Sequence, residues 1–294
     1  MLKRLAILVA SLSLLWTTSC SDSGAESDSI STSPAGRLVS LKVPEGIEAA
    51  RAAGCTVTGA YVGSGLSSLQ VLGGGLDQMY QGNARGEVDL VLISQARNFE
   101  SETGTPFELE LFRGGQNEDK SFNTIPTELV IYSTGVPVGA YFTDVVLDSE
   151  GWFETETETL SLPLPILDDL RIQPALSVIS LTGQLTESEE GGINIDGLLL
   201  GYMLSEEAMS IVIVLQEVCR LDEPPVVCQL MGGAFTNATP EDAFNLFVNF
   251  MGSFDARIVD GLPRECDMSS DGDDACNAVS ICMQVGFESV VLTD

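Results

Sequence analysis

The sequence predicts a mainly β fold: an antiparallel two-layer sandwich with two packed helices, with α+β as the alternative. Three observations predict it. Short apolar segments with period-two alternation follow one another closely from Leu38 to Thr186. The period changes to 3.6 most clearly in two stretches, near 205–220 and 239–254. Glycine and Ser/Asn/Asp clusters punctuate the rest, as turns do. The 294 residues suit one large β domain or two small ones, and a hydrophobic fraction of 44% argues against disorder throughout.

The chain opens with Lys3 and Arg4, then an almost unbroken apolar run from Leu5 to Trp16, then Thr17-Thr18-Ser19 and Cys20. A basic start, an apolar core of about a dozen residues and small residues before a cut site make an export signal, too short to span a bilayer. Small residues running into a cysteine resemble the lipobox of bacterial lipoproteins, with Thr17 standing where that family usually has Leu. The resemblance implies that residues 1–19 are removed, that Cys20 is lipidated, and that the protein is exported to the cell envelope as an outer membrane lipoprotein. Its partner would be the membrane, reached through the lipid. Residues 20–36 are rich in Ser, Asp and Glu with one large apolar residue, Ile30. They cannot bury enough surface to offset chain entropy and read as an acidic tether. The β-rich domain is expected over 37–294.

Within it, Leu38–Val43, Cys55–Val62 and Val88–Ser94 have strand composition, and Ile47–Ala53 reads as a short helical turn ended by Gly54. Ser67–Asn83 reads as a helix interrupted by Gly73-Gly74-Gly75. Phe107–Phe112 alternates cleanly, and Gly114–Lys120 reads as a loop. Thr127–Ser133, Ala140–Leu147 and Trp152–Leu164 continue the strand pattern, the last with Glu154, Glu156 and Glu158 on one face. Such a stripe reads as a solvated edge that resists aggregation. Leu176–Thr186 and Ile193–Leu204 are strands, the latter with Gly197 and Gly201 inside it. Ser205 is expected to cap a nearly all-apolar, buried helix, with Glu206 and Glu207 in its first turn. Thr239-Pro-Glu-Asp opens the second helix, with Thr239 as N-cap, Pro240 at the first position and Asp242 answering the cap. On the final strand Val279, Ile281, Met283, Val285 and Phe287 face the core, while Cys282 faces away.

There are 43 acidic and 13 basic side chains, and removing Lys3 and Arg4 with the signal takes the formal charge from −30 to −32. That argues against nucleic acid, whose phosphates need Lys and Arg, and against anionic headgroups. Histidine is absent. This removes Ser-His-Asp triads, Cys-His pairs and histidine metal sites. Apart from Cys20, six cysteines remain, an even number in an exported chain, which implies three disulfides among 15 possible pairings. Short spacing favours Cys219–Cys228 and Cys266–Cys276 as local staples and leaves Cys55–Cys282 to tie the ends together.

Asp267-Met-Ser-Ser-Asp-Gly-Asp-Asp-Ala-Cys-Asn is the stretch with site chemistry. With Ser269 first, oxygens fall at Ser269, Asp271, Asp273 and Asn277, which resembles the Asp-x-Asp-x-Asp-Gly class of Ca2+ loops. Asp274 stands where that class has its turn glycine, and no Glu supplies a bidentate ligand. Starting at Asp267 restores Gly272 but puts Ala275 and Ala278 at ligand positions, so an acidic, disulfide-closed turn is the competing reading. Asp271–Ser280 running into Ile281–Val290 also resembles the Asp-Gly-rich turn and last strand of uncharacterised acidic bacterial surface lipoproteins, a likeness extending over about 190–294 that implies no activity. Together these readings predict a lipid-anchored envelope protein that is a non-enzymatic binding, adhesion or structural module for a protein or glycan ligand. The alternative is a carboxylate-dependent hydrolase such as a glycosidase. Outside the signal only Trp152 is available to stack on a sugar.

Overall fold

The computed structural model describes residues 33–44, 46–57, 60–61, 91–116, 122–124, 139–161, 164–167, 170–172, 175–189, 191–222, 224, 226–251, 254–267, 269–270 and 272–292. The helix expected over 67–83, the strand over 127–133, Cys20 and the tether as far as residue 32 lie outside the described residues. Among the described residues the fold is mainly β and antiparallel, with four helices.

The strands are β1 (Ala35–Lys42), β2 (Thr56–Val57), β3 (Ala60–Tyr61), β4 (Val91–Arg97), β5 (Phe107–Gln116), β6 (Phe122–Thr124), β7 (Gly139–Val145) and β8 (Trp152–Glu154). They continue as β9 (Glu158–Ser161), β10 (Leu164–Leu167), β11 (Leu170–Ile172), β12 (Ala175–Glu187), β13 (Ile193–Leu204), β14 (Arg257–Val259), β15 (Leu262–Arg264) and β16 (Ala278–Val290). The helices are α1 (Gly46–Ala52), α2 (Ser205–Val218), α3 (Val226–Asn237) and α4 (Pro240–Met251). One ten-stranded sheet runs β6-β5-β4-β1-β16-β13-β12-β8, with β7 also on β5 and β9 also on β12. The two ends of the sheet meet where β7 lies against β9, so the sheet curls nearly into a barrel and is a sandwich only in a loose sense.

Alternation sorts this sheet into two faces. Leu38, Leu109, Leu181, Leu199, Met283 and Phe287 belong to the main core, joined there by Ala208, Ile211, Val212 and Leu215 of α2, Phe235 of α3 and Ala243 of α4. Gly183 of β12 faces Gly197 of β13. A Cβ on Gly183 would sit 2.5 Å from the Asp196 carbonyl oxygen, and one on Gly197 would sit 2.2 Å from that of Thr182. No side chain fits at this close approach of the two backbones, which is why glycine occupies both strands.

Several expectations change. β1 begins at Ala35, before the Arg37 expected, and Gly114–Gln116 continue β5 instead of forming a loop. The Trp152–Leu164 strand is broken: Thr155 turns inward, its Oγ1 accepts from the Leu181 amide at 2.9 Å, and its own amide donates to the Leu181 carbonyl. The glutamate stripe is therefore split between β8 and β9. α2 has Leu204 in the cap position with no side-chain cap; the Ser205 amide donates to the Asn277 carbonyl at 2.8 Å instead. α2 is also not buried all round, since Ile213 is exposed. α4 begins as expected, with the Asp242 amide donating to Thr239 Oγ1 and that hydroxyl donating to Asp242 Oδ2. α3, which the sequence did not predict, carries a kink at Gly232 (φ 72°). Gln216 of α2 holds its end by donating to the carbonyls of Phe235 and Ala238.

Candidate functional site

The three disulfides are Cys55–Cys282, Cys219–Cys228 and Cys266–Cys276. They fit a protein that works outside the cytoplasm, where thiols oxidise. Among the described residues no helix is long and apolar enough to cross a membrane. Cys282 does point away from the core. It lies on the outer face of β16, where Leu198 and Leu200 pack with Ala50, Ala53 and Cys55 at the end of α1. α1 thus covers one part of the outer face and leaves the next part open.

That open part is a shallow groove of about 410 Å³ across β12, β13, β16 and β1. Its position follows from register. Trp152 of β8 lies opposite Gln184, Gln184 opposite Asp196, Asp196 opposite Gly286, and Gly286 opposite Ser40. Five strands thus line up an aromatic ring, an amide, a carboxylate, a glycine and a hydroxyl on one face. The Ser40 side chain takes the space beside Gly286, where a Cβ would meet Ser40 Oγ at 2.8 Å. Lys42, Thr186, Asn194 and Glu288 complete the polar walls.

Two amides of the groove are held from behind. Gln184 Nε2 donates to the Glu150 carbonyl at 2.8 Å, leaving Oε1 as an acceptor. Asn194 Oδ1 accepts from the Ser289 amide at 2.9 Å, leaving its NH2 as a donor. Glu288 stands opposite Arg37 in the ladder. Burial pulls the Arg37 guanidinium below its ordinary range, and the Glu288 carboxylate pulls the other way. Arg37 also lies 5.0 Å from the centre of the Phe122 ring.

The acidic loop is organised differently. Asp267 Oδ1 accepts from both the hydroxyl and the amide of Ser269, at 2.7 and 2.8 Å, and these bonds hold its carboxyl below the usual carboxylate value. Asn277 is turned toward β14: its Oδ1 accepts from the Ile258 amide at 2.7 Å and its Nδ2 donates to the Ile258 carbonyl at 3.0 Å. Of the four oxygens expected to hold Ca2+, Asn277 is thus engaged with backbone, Ser269 is engaged with Asp267, Asp273 is exposed, and Asp271 lies outside the described residues. Among the described residues no group of three or more His, Cys, Asp or Glu could hold a metal ion. Asp274 approaches Arg257 at 3.8 Å.

No protein family, curated protein or solved structure matches the chain. The groove escaped the sequence because its residues run from Ser40 to Glu288. Alternation told which side chains share a face within a strand, but not which strands are neighbours.

Proposed function

We propose that the protein is a lipid-anchored module of the bacterial cell envelope that binds or scaffolds and does not catalyse. The observation that carries this reading is the set of three disulfides, one of them joining residues 227 apart in sequence. Such bridges form and persist in an oxidising compartment, and the export signal ending at Cys20 supplies the route. The polar residues between Cys20 and β1 would serve as the link from lipid to domain. A hydrolase would need an acid and a base held at fixed separation in one cleft. Glu207, the one carboxylate buried among the described residues, accepts from the Ala175 amide at 2.9 Å and so serves the fold.

The test is fractionation of cells expressing the full chain, with metabolic labelling by an alkyne fatty acid. The wild type is expected in the membrane pellet and labelled, and Cys20→Ala is expected unlabelled and released, since the acyl chains would be its membrane tie. Retention of Cys20→Ala in the pellet, or an unlabelled wild type, overturns the anchoring.

A further inference from the structure

We propose that the outer-face groove of β12, β13, β16 and β1 is a binding site for a neutral oligosaccharide, with Trp152 as its stacking platform. This deepens the reading of the protein as a binding module and rests on it. Shape comes first. The groove's 410 Å³ lies within the range of small-ligand sites. Its row from Trp152 to Ser40 crosses four interstrand steps of about 4.8 Å, roughly 19 Å in all, which exceeds a single sugar ring.

Chemistry comes second. A sugar hydroxyl both donates and accepts, so it needs donors and acceptors interspersed. Gln184 Oε1 and the Asp196 carboxylate accept, the Asn194 NH2 donates, and the hydroxyls of Ser40 and Thr186 do both. Because Gln184 and Asn194 are already fixed by backbone bonds, less rotamer entropy is lost when a ligand binds.

Charge decides between ligand classes. Lys42, Asp196 and Glu288 all line the groove and Arg37 stands opposite Glu288 in the ladder, so the face carries both signs. An anion would meet those carboxylates and the net charge of −30; a cation would meet Lys42 and Arg37. A neutral polyhydroxylated ligand avoids both. Finally, Trp152 is 47% exposed at the end of the row, a flat apolar surface in line with the polar groups. Sugars present an apolar C–H face to such rings, while their hydroxyl edges reach the amides and carboxylate.

Once the signal is removed Trp152 is the one tryptophan, so its fluorescence reports on this site alone. The experiment titrates the mature chain with neutral oligomers of β-linked glucose, β-linked N-acetylglucosamine, galactose and mannose. At least one class is expected to shift Trp152 emission saturably. Calorimetry with that oligomer is expected to show at least tenfold weaker binding for Trp152→Ala and for Asp196→Ala, each with an unchanged melting temperature, while Glu108→Ala binds normally. Asp196→Asn serves as the second variant, expected to weaken binding without removing the side chain's bulk. The proposal is overturned if no oligomer changes the emission at millimolar concentration, if binding survives Asp196→Ala, or if calcium, spermidine or an acidic oligosaccharide is the ligand that depends on Trp152 and Asp196. Running the titration on both the wild type and Cys20→Ala keeps the two readings apart, because sugar binding does not require the lipid and anchoring does not require the groove.

Discussion

Cys276 and Cys282 flank the start of β16, yet their bridges close segments of 10 and 227 residues. Cys282 and its partner Cys55 are fully buried, under α1 and against Leu198 and Leu200. Cys276 and Cys266 sit in an exposed turn in which the Asp267 carboxylate accepts from the amide and hydroxyl of Ser269. The comparison separates two ways of fixing a chain end. The long bridge joins the start of the domain to the middle of its last strand and packs apolar surface on top. The short one shapes a loop that the sheet does not depend on.

Loop-closure entropy puts a scale on the contrast. It grows with the logarithm of the closed segment, giving about 5 kcal/mol for the long bridge and about 3 kcal/mol for the short one. Cys55→Ala with Cys282→Ala is therefore expected to give the largest loss of stability in urea, and Cys266→Ala with Cys276→Ala roughly half of it. Equal losses would show that the acidic loop is as integral as the sheet centre.

The facing glycines sharpen the same point without touching a disulfide. Gly197→Ala would drive a methyl into the Thr182 carbonyl, and backbone cannot step aside as a side-chain tip can. Overpacking of this kind is expected to cost about 3 kcal/mol, a fall of roughly 6–12 °C in a domain of this size. Gly272→Ala in the acidic loop has only Ser270 Oγ within reach, at 3.5 Å. It should leave the melting temperature within about a degree. A small loss at Gly197 would mean that the two backbones can part to admit a methyl group.

These contrasts also mark what was legible in the residues. β13 and the outward-facing Cys282 followed from alternation alone, and the start of α4 followed from Thr239-Pro-Glu-Asp, because each signal is local. α3 did not, since Gly232 and Gly233 interrupt its apolar residues and its end is held by Gln216 from another helix. Ser205 was misread as a cap because the bond that serves the helix start comes from its amide to Asn277, some seventy residues on. Which oxygens of the acidic loop are engaged is likewise not legible from spacing: Asn277 Oδ1 accepts from the Ile258 amide, a partner 19 residues back. Sequence shows which groups could bond, whereas long-range pairing decides which do.

Asn277 carries the next prediction. Its amide satisfies both the donor and the acceptor of Ile258 in a half-buried position, as a neighbouring strand would. Asn277→Ala leaves both unmet and is expected to cost about 2 kcal/mol. Hydrogen exchange should then quicken at Ile258 and Ser205 while the amides of β12 and β13 stay protected. Uniform quickening across the sheet would contradict the division between loop and sheet.

The smallest expected effect lies in the acidity of Asp267. Its carboxyl sits below the ordinary 3.8, chiefly because the Ser269 hydroxyl donates to it and then because the Ser269 amide does. With the folded value depressed, the unfolded chain takes up the proton first as acid is added. The resulting stability is present above the unfolded value and is lost as pH falls through the folded one. The group is exposed, so solvent screens the effect. Many other carboxylates titrate in the same window, and the informative quantity is the difference in melting temperature between wild type and Asp267→Asn. That difference is expected to favour the wild type at pH 7 and to shrink as pH falls from about 5 toward 2. The removal of Cys55–Cys282 should leave this pH-dependent difference in place, because the bonds behind it begin and end between Asp267 and Ser269. A difference that stays constant with pH, or that vanishes when the distant bridge is cut, would show that the loop takes its geometry from the sheet and not from itself.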